Sequence, residues 1–152
     1  MAKIRSSLNL KYNNQTIKQV LEFMYLGSTI YNSGSCQREV KLRIGQANAP
    51  FRKLSQIWRS KKYSFQLKLR LFNNNILSTL CFDFETWLID KLIENKLLAF
   101  ENRCLRQILK IHWFQKVRNT SIQQKTSQSL VTKVIQNRKW RYLCHVICVP
   151  ET

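Results

Sequence analysis

Apolar residues recur at helical spacing between Cys81 and Trp113. At 100° per residue they fall within one narrow arc, which three leucines widen on one side. The arc contains Ile93, Leu97, Phe100, Cys104, Ile108 and Ile111, and the widening residues are Leu98, Leu105 and Leu109. This pattern predicts a helix with one buried face. The flank carries Lys96, Arg103, Arg106 and Lys110, so the helix is expected to pack and still present positive charge.

A second apolar stripe begins after Gln37, where the period changes from two to about three and a half. Its members are Val40, Ile44, Ala47, Phe51, Leu54 and Trp58. Four basic residues share a different face, namely Arg38, Lys41, Arg52 and Arg59. Because the apolar phase continues across Pro50, we expect a kink or a tight restart near Asn48.

Two further stretches have helical patterns. The loop Ser60–Tyr63 leads to Ser64, a residue typical of N-caps, and then to a helix that buries Phe65, Leu69, Phe72, Ile76 and Leu80, with Lys68 and Arg70 outside. Beyond Trp113 we predict a short helix over Val117–Thr126, a loop, and a last helix over Val131–Val149 that Pro150 ends. The core residues predicted for that last helix are Val131, Ile135, Tyr142, Leu143 and Val146.

The β signal is confined to the beginning of the chain. Residues 1–18 predict a short hairpin or a frayed extension with a turn at Asn13–Asn14, and Val20–Tyr31 predicts a strand, a bend at Gly27 and a second strand. The expected fold class is therefore mainly α, with a short N-terminal β-hairpin followed by a bundle of four to five helices. We expect boundaries near residues 35 and 113, which separate segments 1–35, 36–113 and 114–152.

The net charge of +18 is the strongest compositional signal. Residues 1–80 carry an excess of +12, residues 81–111 are balanced, and residues 112–152 carry +6. So large an imbalance favours an anionic partner, and nucleic acid is the first expectation. No apolar run is long enough to span a bilayer and the N-terminus lacks a signal-peptide core, so an intracellular location, nuclear or cytoplasmic, without membrane association is expected.

The sequence gives little indication of a metal site, a cofactor site or a catalytic nucleophile. Cys144, His145 and Cys148, with Cys104 or His112, are ligand types for zinc, but no pair has a Cys-x-x-Cys spacing. A Cys104 nucleophile paired with His145 is disfavoured, since Cys104 lies on the apolar stripe, and five irregularly spaced cysteines indicate reduced thiols. We therefore expect no metal and no cofactor.

The carboxylates and the tryptophans can each be interpreted in two ways. Asp83, Glu85 and Asp90 could bind Mg²⁺, but surface positions near a helix start explain them better. Any of the four tryptophans could stack on bases. Trp58 and Trp87 are expected in the core, which leaves Tyr63, in a basic loop, as the better stacking residue.

Three blocks that follow one another along the chain, within residues 23–47, 68–106 and 138–146, resemble the C-terminal part of the reverse transcriptase of non-LTR (LINE-type) retrotransposons. The first runs from Phe23 to Ala47 and contains Tyr25-Leu26-Gly27. The second block consists of Lys68–Asn73, Glu85-Thr86-Trp87 and Ala99–Arg106. The third is Arg138–Val146. Together they cover about residues 17 to 150.

The resemblance implies a function for each segment. Phe23, Tyr25, Leu26 and Gly27 would belong to a primer-grip-like hairpin, and the helices after it to a thumb that clasps an RNA–DNA duplex. The implied nucleic-acid-binding residues are Arg38, Lys41, Arg52, Arg59, Lys61, Lys62 and Tyr63. The sequence contains no Asp-Asp pair, the metal-binding element of the family's catalytic palm. We therefore expect this chain to bind RNA template and DNA primer without catalysing their extension.

Two other hypotheses remain open. The chain departs from the family pattern at Asp83, Cys144 and Cys148, as a relic that has lost its function would. Alternatively, the chain is a basic RNA-binding module that a host has recruited. No small-molecule substrate is expected for this chain.

Overall fold

The computed structural model describes residues 10–13, 15–25, 28–31, 36–82, 84 and 89–148. It divides into two compact units, Met1–Ser35 and Cys36–Thr152. The first unit contains strands and the second contains helices, so the predicted fold class, mainly α with a short N-terminal hairpin, is confirmed.

The first unit contains two antiparallel strand pairs. Strand β1 (Lys11–Tyr12) pairs with β2 (Gln15–Thr16), and β3 (Glu22–Tyr25) pairs with β4 (Ser28–Tyr31) in the register Glu22 to Tyr31 and Tyr25 to Ser28. Asn13 has φ of 47°, the left-handed conformation that a tight hairpin turn requires and that Asn tolerates. The expected bend at Gly27 lies outside the described residues.

In the described part of the second unit, the regular structure is helical. Helices α1 and α2 are followed, after a short loop, by a helical rod whose middle is a π-helix, and then by α5, a single 3₁₀ turn, α6 and α7. The bounds are α1 Gln37–Lys53, α2 Ser55–Arg59, α3 Phe65–Leu71, the π-helix Phe72–Leu77, α4 Ser78–Leu80, α5 Lys91–Ile108, the 3₁₀ turn Trp113–Gln115, α6 Asn119–Thr126 and α7 Val131–Cys148.

The core of this unit consists of the predicted apolar stripes. Phe100 and Leu97 of α5 are buried with Phe51 of α1 and Phe72 of the π-helix, as are most of their stripe neighbours. Phe51 stacks on Trp58 with ring centroids 5.3 Å apart and meets Phe72 edge-on at 6.4 Å. Trp58 is fully buried, which confirms its predicted place in the core.

Helix α1 runs through Pro50, so of the two outcomes predicted near Asn48, a kink or a tight restart, the restart is wrong. The helix ends at Lys53, and α2 begins after Leu54, whose ψ of 12° breaks the helical path. Pro50 removes one backbone donor, but burial of Ala47 and Phe51 on either side holds the helix together. The Trp58 indole donates to the Phe51 carbonyl oxygen at 2.8 Å and so satisfies an acceptor in the last turn of α1.

The helix after Ser64 begins as predicted, but one side chain that was predicted to be exposed is buried. Ser64 is the N-cap, since its hydroxyl accepts from the Leu67 backbone N–H at 3.3 Å. Arg70 is exposed as expected. Lys68, predicted to lie outside, is only 5% exposed, because its ammonium is drawn inward by backbone carbonyls at the end of α2.

Helix α5 is capped by Asp90, whose carboxylate accepts from the Ile93 backbone N–H at 2.7 Å. This confirms the expectation that Asp90 lies at a helix start, where its charge suits the dipole. Asp83, Glu85 and Trp87 lie outside the described residues. The Glu101 carboxylate of the same helix accepts from the Val131 backbone N–H at 3.2 Å and so anchors the start of α7.

Helix α7 packs only through its first turns. Val131 and Ile135 are buried as predicted, but Tyr142, Leu143 and Val146 are exposed, and their assignment to the core is wrong. Apolar spacing alone could not reveal this, because a helical stripe becomes buried only where another element covers it. Among the residues that the structure describes, no helix is sufficiently long and apolar to cross a membrane.

Candidate nucleic-acid interface

One face of α1 carries a stripe of polar and basic positions at spacings of three and four residues. Its members are Arg38, Lys41, Gly45, Asn48 and Arg52. The three basic side chains are exposed, and a Cβ built on Gly45 would meet nothing within 4 Å. The helix thus presents an open basic surface, which we call the α1 stripe, on a different face from its buried residues.

A hydrogen bond joins the α1 stripe to α5. The Arg103 guanidinium donates through Nη2 to the Asn48 side-chain oxygen at 3.3 Å. Arg103 also lies over the Phe100 ring, 5.4 Å from its centroid, so its stem is held against the core while the side chain stays exposed. The stripe and the basic flank of α5 therefore adjoin at this contact.

Two lysines cap the C-terminal end of α2. The Lys68 ammonium donates to the carbonyl oxygens of Trp58 (3.1 Å) and Ser60 (2.6 Å), and the Lys110 ammonium donates to that of Arg59 (2.7 Å). Cations suit the negative end of a helix dipole. Burial and the nearby Lys110 charge lower the pKa of Lys68. These lysines fix the start of the basic loop that follows.

That loop presents the remaining residues of the predicted binding set. The Lys62 backbone N–H donates to the Ser60 hydroxyl at 3.1 Å, which holds the turn, and Lys61, Lys62 and Tyr63 are all exposed. Tyr63 is 46% exposed in a basic surrounding, which is consistent with stacking on a base.

An open cleft of about 1070 Å³, here called the α5 cleft, lies between the end of α2, the C-terminal half of α5 and the segment that leads to α6. None of the described residues that line it is acidic. Five of them are cationic: Arg59, Arg103, Arg106, Lys110 and Lys116. The cleft therefore concentrates positive charge that no carboxylate in its own lining offsets.

The far wall of the α5 cleft is held by Arg106. Its Nη2 donates to the Val117 carbonyl oxygen at 2.6 Å and to the Asn119 side-chain oxygen at 2.9 Å. Lys110 and Lys116 have φ of 57° and 48°, left-handed conformations that turn the chain sharply at each end of this wall. Within the wall His112 and Phe114 stack with centroids 5.4 Å apart and planes inclined by 7°.

The floor of the α5 cleft includes Asn102, a nearly buried residue of α5. Its amide nitrogen donates to the Leu98 carbonyl oxygen at 2.8 Å, but its side-chain oxygen is buried with no hydrogen-bond partner among the described residues. The amide nitrogen of Asn102 is thus satisfied within α5, whereas its oxygen is a buried acceptor that the described residues leave unpaired.

The predicted binding residues of the second unit are all at the surface. Arg38, Lys41 and Arg52 share the α1 stripe, Arg59 borders the α5 cleft, and the others form the loop. Their part in nucleic-acid binding stays a prediction. Of the primer-grip-like residues, Phe23 and Tyr25 lie in β3, with Phe23 exposed, whereas Leu26 and Gly27 are outside the described residues.

Sequence reasoning placed Arg103, Arg106 and Lys110 on one helix flank but left them out of the binding set, and it missed Asn102, His112 and Lys116. The segment from Ile111 to Arg118 has no periodic pattern, so only the fold brings it across α5. A cluster of Lys110 and Lys116 around His112 and Phe114 is the one signal that could have indicated this site.

The residues considered for other chemistry are separated by the fold. Among described residues, no three of the His, Cys, Asp and Glu side chains come together as a metal site. Cys144, His145 and Cys148 are exposed along α7, and all five cysteines are free. Burial raises the pKa of the Cys104 thiol to about 12, so it stays protonated and unreactive at neutral pH.

Comparison of the chain with known protein families, with curated proteins and with solved structures finds no match.

Proposed function

We propose that this chain binds the phosphate backbone of nucleic acid without catalysing a reaction on it, in the manner of the thumb of a retrotransposon reverse transcriptase. Its partner would be the RNA template paired with the DNA primer. The observation that carries the proposal is the α1 stripe, in which Arg38, Lys41 and Arg52 are exposed on one helix face and adjoin Arg103 of α5.

The spacing of these cations fits a backbone better than a small ligand. Residues 38 and 52 are separated by about 21 Å along the helix at 1.5 Å per residue. Phosphates on one strand of a duplex follow one another at about 3.4 Å of axial rise, so the stripe extends along several of them. Gly45, in the middle of the stripe, leaves room for the backbone to approach.

The proposal is tested by fluorescence anisotropy on a primed RNA template at several salt concentrations. Binding should tolerate any sequence, and log K should fall against log salt with a slope of about −4 to −5 if five or six phosphates are contacted. Replacing Arg38, Lys41, Arg52 and Arg59 by Gln should make that slope shallower by about 3.

A matched control removes the same charge elsewhere. Arg70, Lys125, Lys133 and Arg141 are exposed on α3, α6 and α7, so their replacement by Gln changes the net charge equally but leaves the α1 stripe intact. An equal loss from both quadruple variants would reject the α1 stripe as the binding face. If the folded chain binds no strand at low salt, the relic hypothesis replaces the proposal.

A further inference from the structure

We propose that the α5 cleft binds the terminal phosphate monoester of a nucleic-acid strand, with the terminal base against the His112–Phe114 pair; this inference rests on the proposed function. It assigns a role to Arg106, Lys110 and Lys116, which the predicted backbone-binding set does not contain, and it shares Arg59 with that set. The α1 stripe would follow the chain of phosphodiesters, and the α5 cleft would hold one end.

The charge of the cleft favours a monoester over the diesters of a backbone. A phosphodiester carries one negative charge, whereas a terminal monoester carries close to two at neutral pH. Arg59, Arg103, Arg106, Lys110 and Lys116 line one cleft in which no described lining residue is acidic. Such concentrated positive charge interacts best with the most highly charged group of a strand.

The hydrogen bonds of these cations leave donors for a ligand. Arg103, Arg106 and Lys110 are held by neutral acceptors, namely the Asn48 and Asn119 side chains and the carbonyls of Val117 and Arg59. Each such bond orients the side chain without neutralising it, and a guanidinium has five N–H donors. The cations are thus positioned in advance, which favours tight and geometrically specific binding.

The cleft is large enough to hold a terminal nucleotide. Its volume of about 1070 Å³ is at the upper end of small-molecule sites. Of the stacked pair, His112 lines the cleft and is exposed, and Phe114 lies against its ring, so the pair offers an aromatic surface beside the cations.

The experiment compares three otherwise identical single strands of eight nucleotides, bearing a 5′-phosphate, a 3′-phosphate or neither, with an internal fluorescent label. We expect a phosphate at one of the two ends to tighten binding by about tenfold, the effect of one added charge-assisted contact. Adenosine monophosphate should abolish this preference in competition, and inorganic phosphate should compete more weakly because it has no base to stack.

Two variant pairs identify the site. Arg103→Gln with Lys116→Gln removes two exposed cations of the cleft and should abolish the preference for a terminal phosphate. Lys96→Gln with Lys125→Gln removes the same charge from exposed positions that do not line the cleft, and should preserve the preference. Phe114→Ala should weaken all three strands by a similar factor and keep the preference.

The failures of the two proposals are distinguishable. If all three strands bind equally, the α5 cleft proposal is overturned while backbone binding stands. An equal loss of the terminal-phosphate preference in both variant pairs would also overturn it. So would competition by inorganic phosphate as strong as that by the nucleotide, because a site of that kind would recognise any anion. Absence of binding by every strand at low salt would reject the proposed function, and this inference with it.

Discussion

Some charged residues of this chain hold the fold together, and others are exposed at the surface. The residue type alone does not show which residues do which. Lys68 and Lys110 hold carbonyls at the end of α2, and Arg106 holds the segment before α6. Arg43 is buried beside Glu39, with 3.2 Å between the guanidinium and the carboxylate, and lies 4.9 Å over the Phe82 ring. Part of the positive charge therefore stabilises the fold, and only the exposed remainder is available to a partner.

Lys68→Met should destabilise the protein by about 2 to 3 kcal/mol, because two backbone carbonyls at the end of α2 would lose a charged hydrogen-bond donor. Thermal unfolding followed by circular dichroism measures the change. Lys62→Met, in the exposed loop, is the matched control and should stay within about 0.5 kcal/mol of the wild type. Equal melting temperatures for both variants would contradict the inward placement of Lys68.

At the scale of elements, long-range contacts determine how the helices join. The start of α7 is held by Glu101 of α5, a carboxylate that is only 2% exposed and accepts from the Val131 N–H. Burial raises the pKa of Glu101 to about 7, and the Val131 hydrogen bond opposes the shift only in part. The junction between α5 and α7 therefore contains a carboxyl group that titrates near neutrality.

The Glu101 junction predicts how stability depends on pH. Because the pKa is higher in the folded state than the ordinary value of 4.5, the folded state binds the proton more tightly. The contribution of Glu101 to the free energy of unfolding is fully present below pH 4.5. It decreases as pH rises through about 7, by up to about 3 kcal/mol. Glu101→Gln should flatten this part of the curve in denaturant unfolding at several pH values. An unchanged slope in that variant would assign the dependence to other groups.

The two halves of α7 should respond differently to substitution. Ile135→Ala removes a fully buried side chain and should cost about 2 to 5 kcal/mol. Leu143→Gln changes an exposed position and should stay within about 0.5 kcal/mol of the wild type. Melting temperatures give both values. A large loss for Leu143→Gln would mean that the second half of α7 is covered in solution.

At the scale of the whole molecule, the net charge of +18 opposes its own compact state. The balanced central segment, residues 81–111, contains α5, and the excess lies in the flanking segments. The α1 stripe and the basic loop both belong to residues 1–80, the segment with the largest excess, so like charges repel one another there. The same surface that would attract nucleic acid therefore costs stability when no anion is bound.

Added salt should raise the melting temperature, because screening weakens this repulsion. We expect most of the rise between about 20 and 200 mM NaCl, where the Debye length falls below roughly 10 Å. A short single-stranded oligonucleotide at low salt should produce a further rise, since a ligand that binds only the folded state stabilises it. A melting temperature independent of both would show that the charges are too far apart to interact.

The apolar periodicity of the sequence by itself determined which segments are helices and which face of each is buried. Val40 to Trp58, Phe65 to Leu80 and Ile93 to Ile108 follow it, because a helix repeats its faces regularly whatever it packs against. The caps Ser64 and Asp90 were predictable too, since a cap depends only on a side chain and the N–H groups that follow it.

Only the tertiary structure decided what lies opposite each face. It placed Lys68 inside, carried α1 past Pro50, left the second half of α7 uncovered, and brought Lys116 across from Arg103 to form the α5 cleft. Each of these outcomes depends on contacts between residues far apart in the chain. Local spacing contains no information about such contacts, because the free energy of burying a group depends on which element covers it.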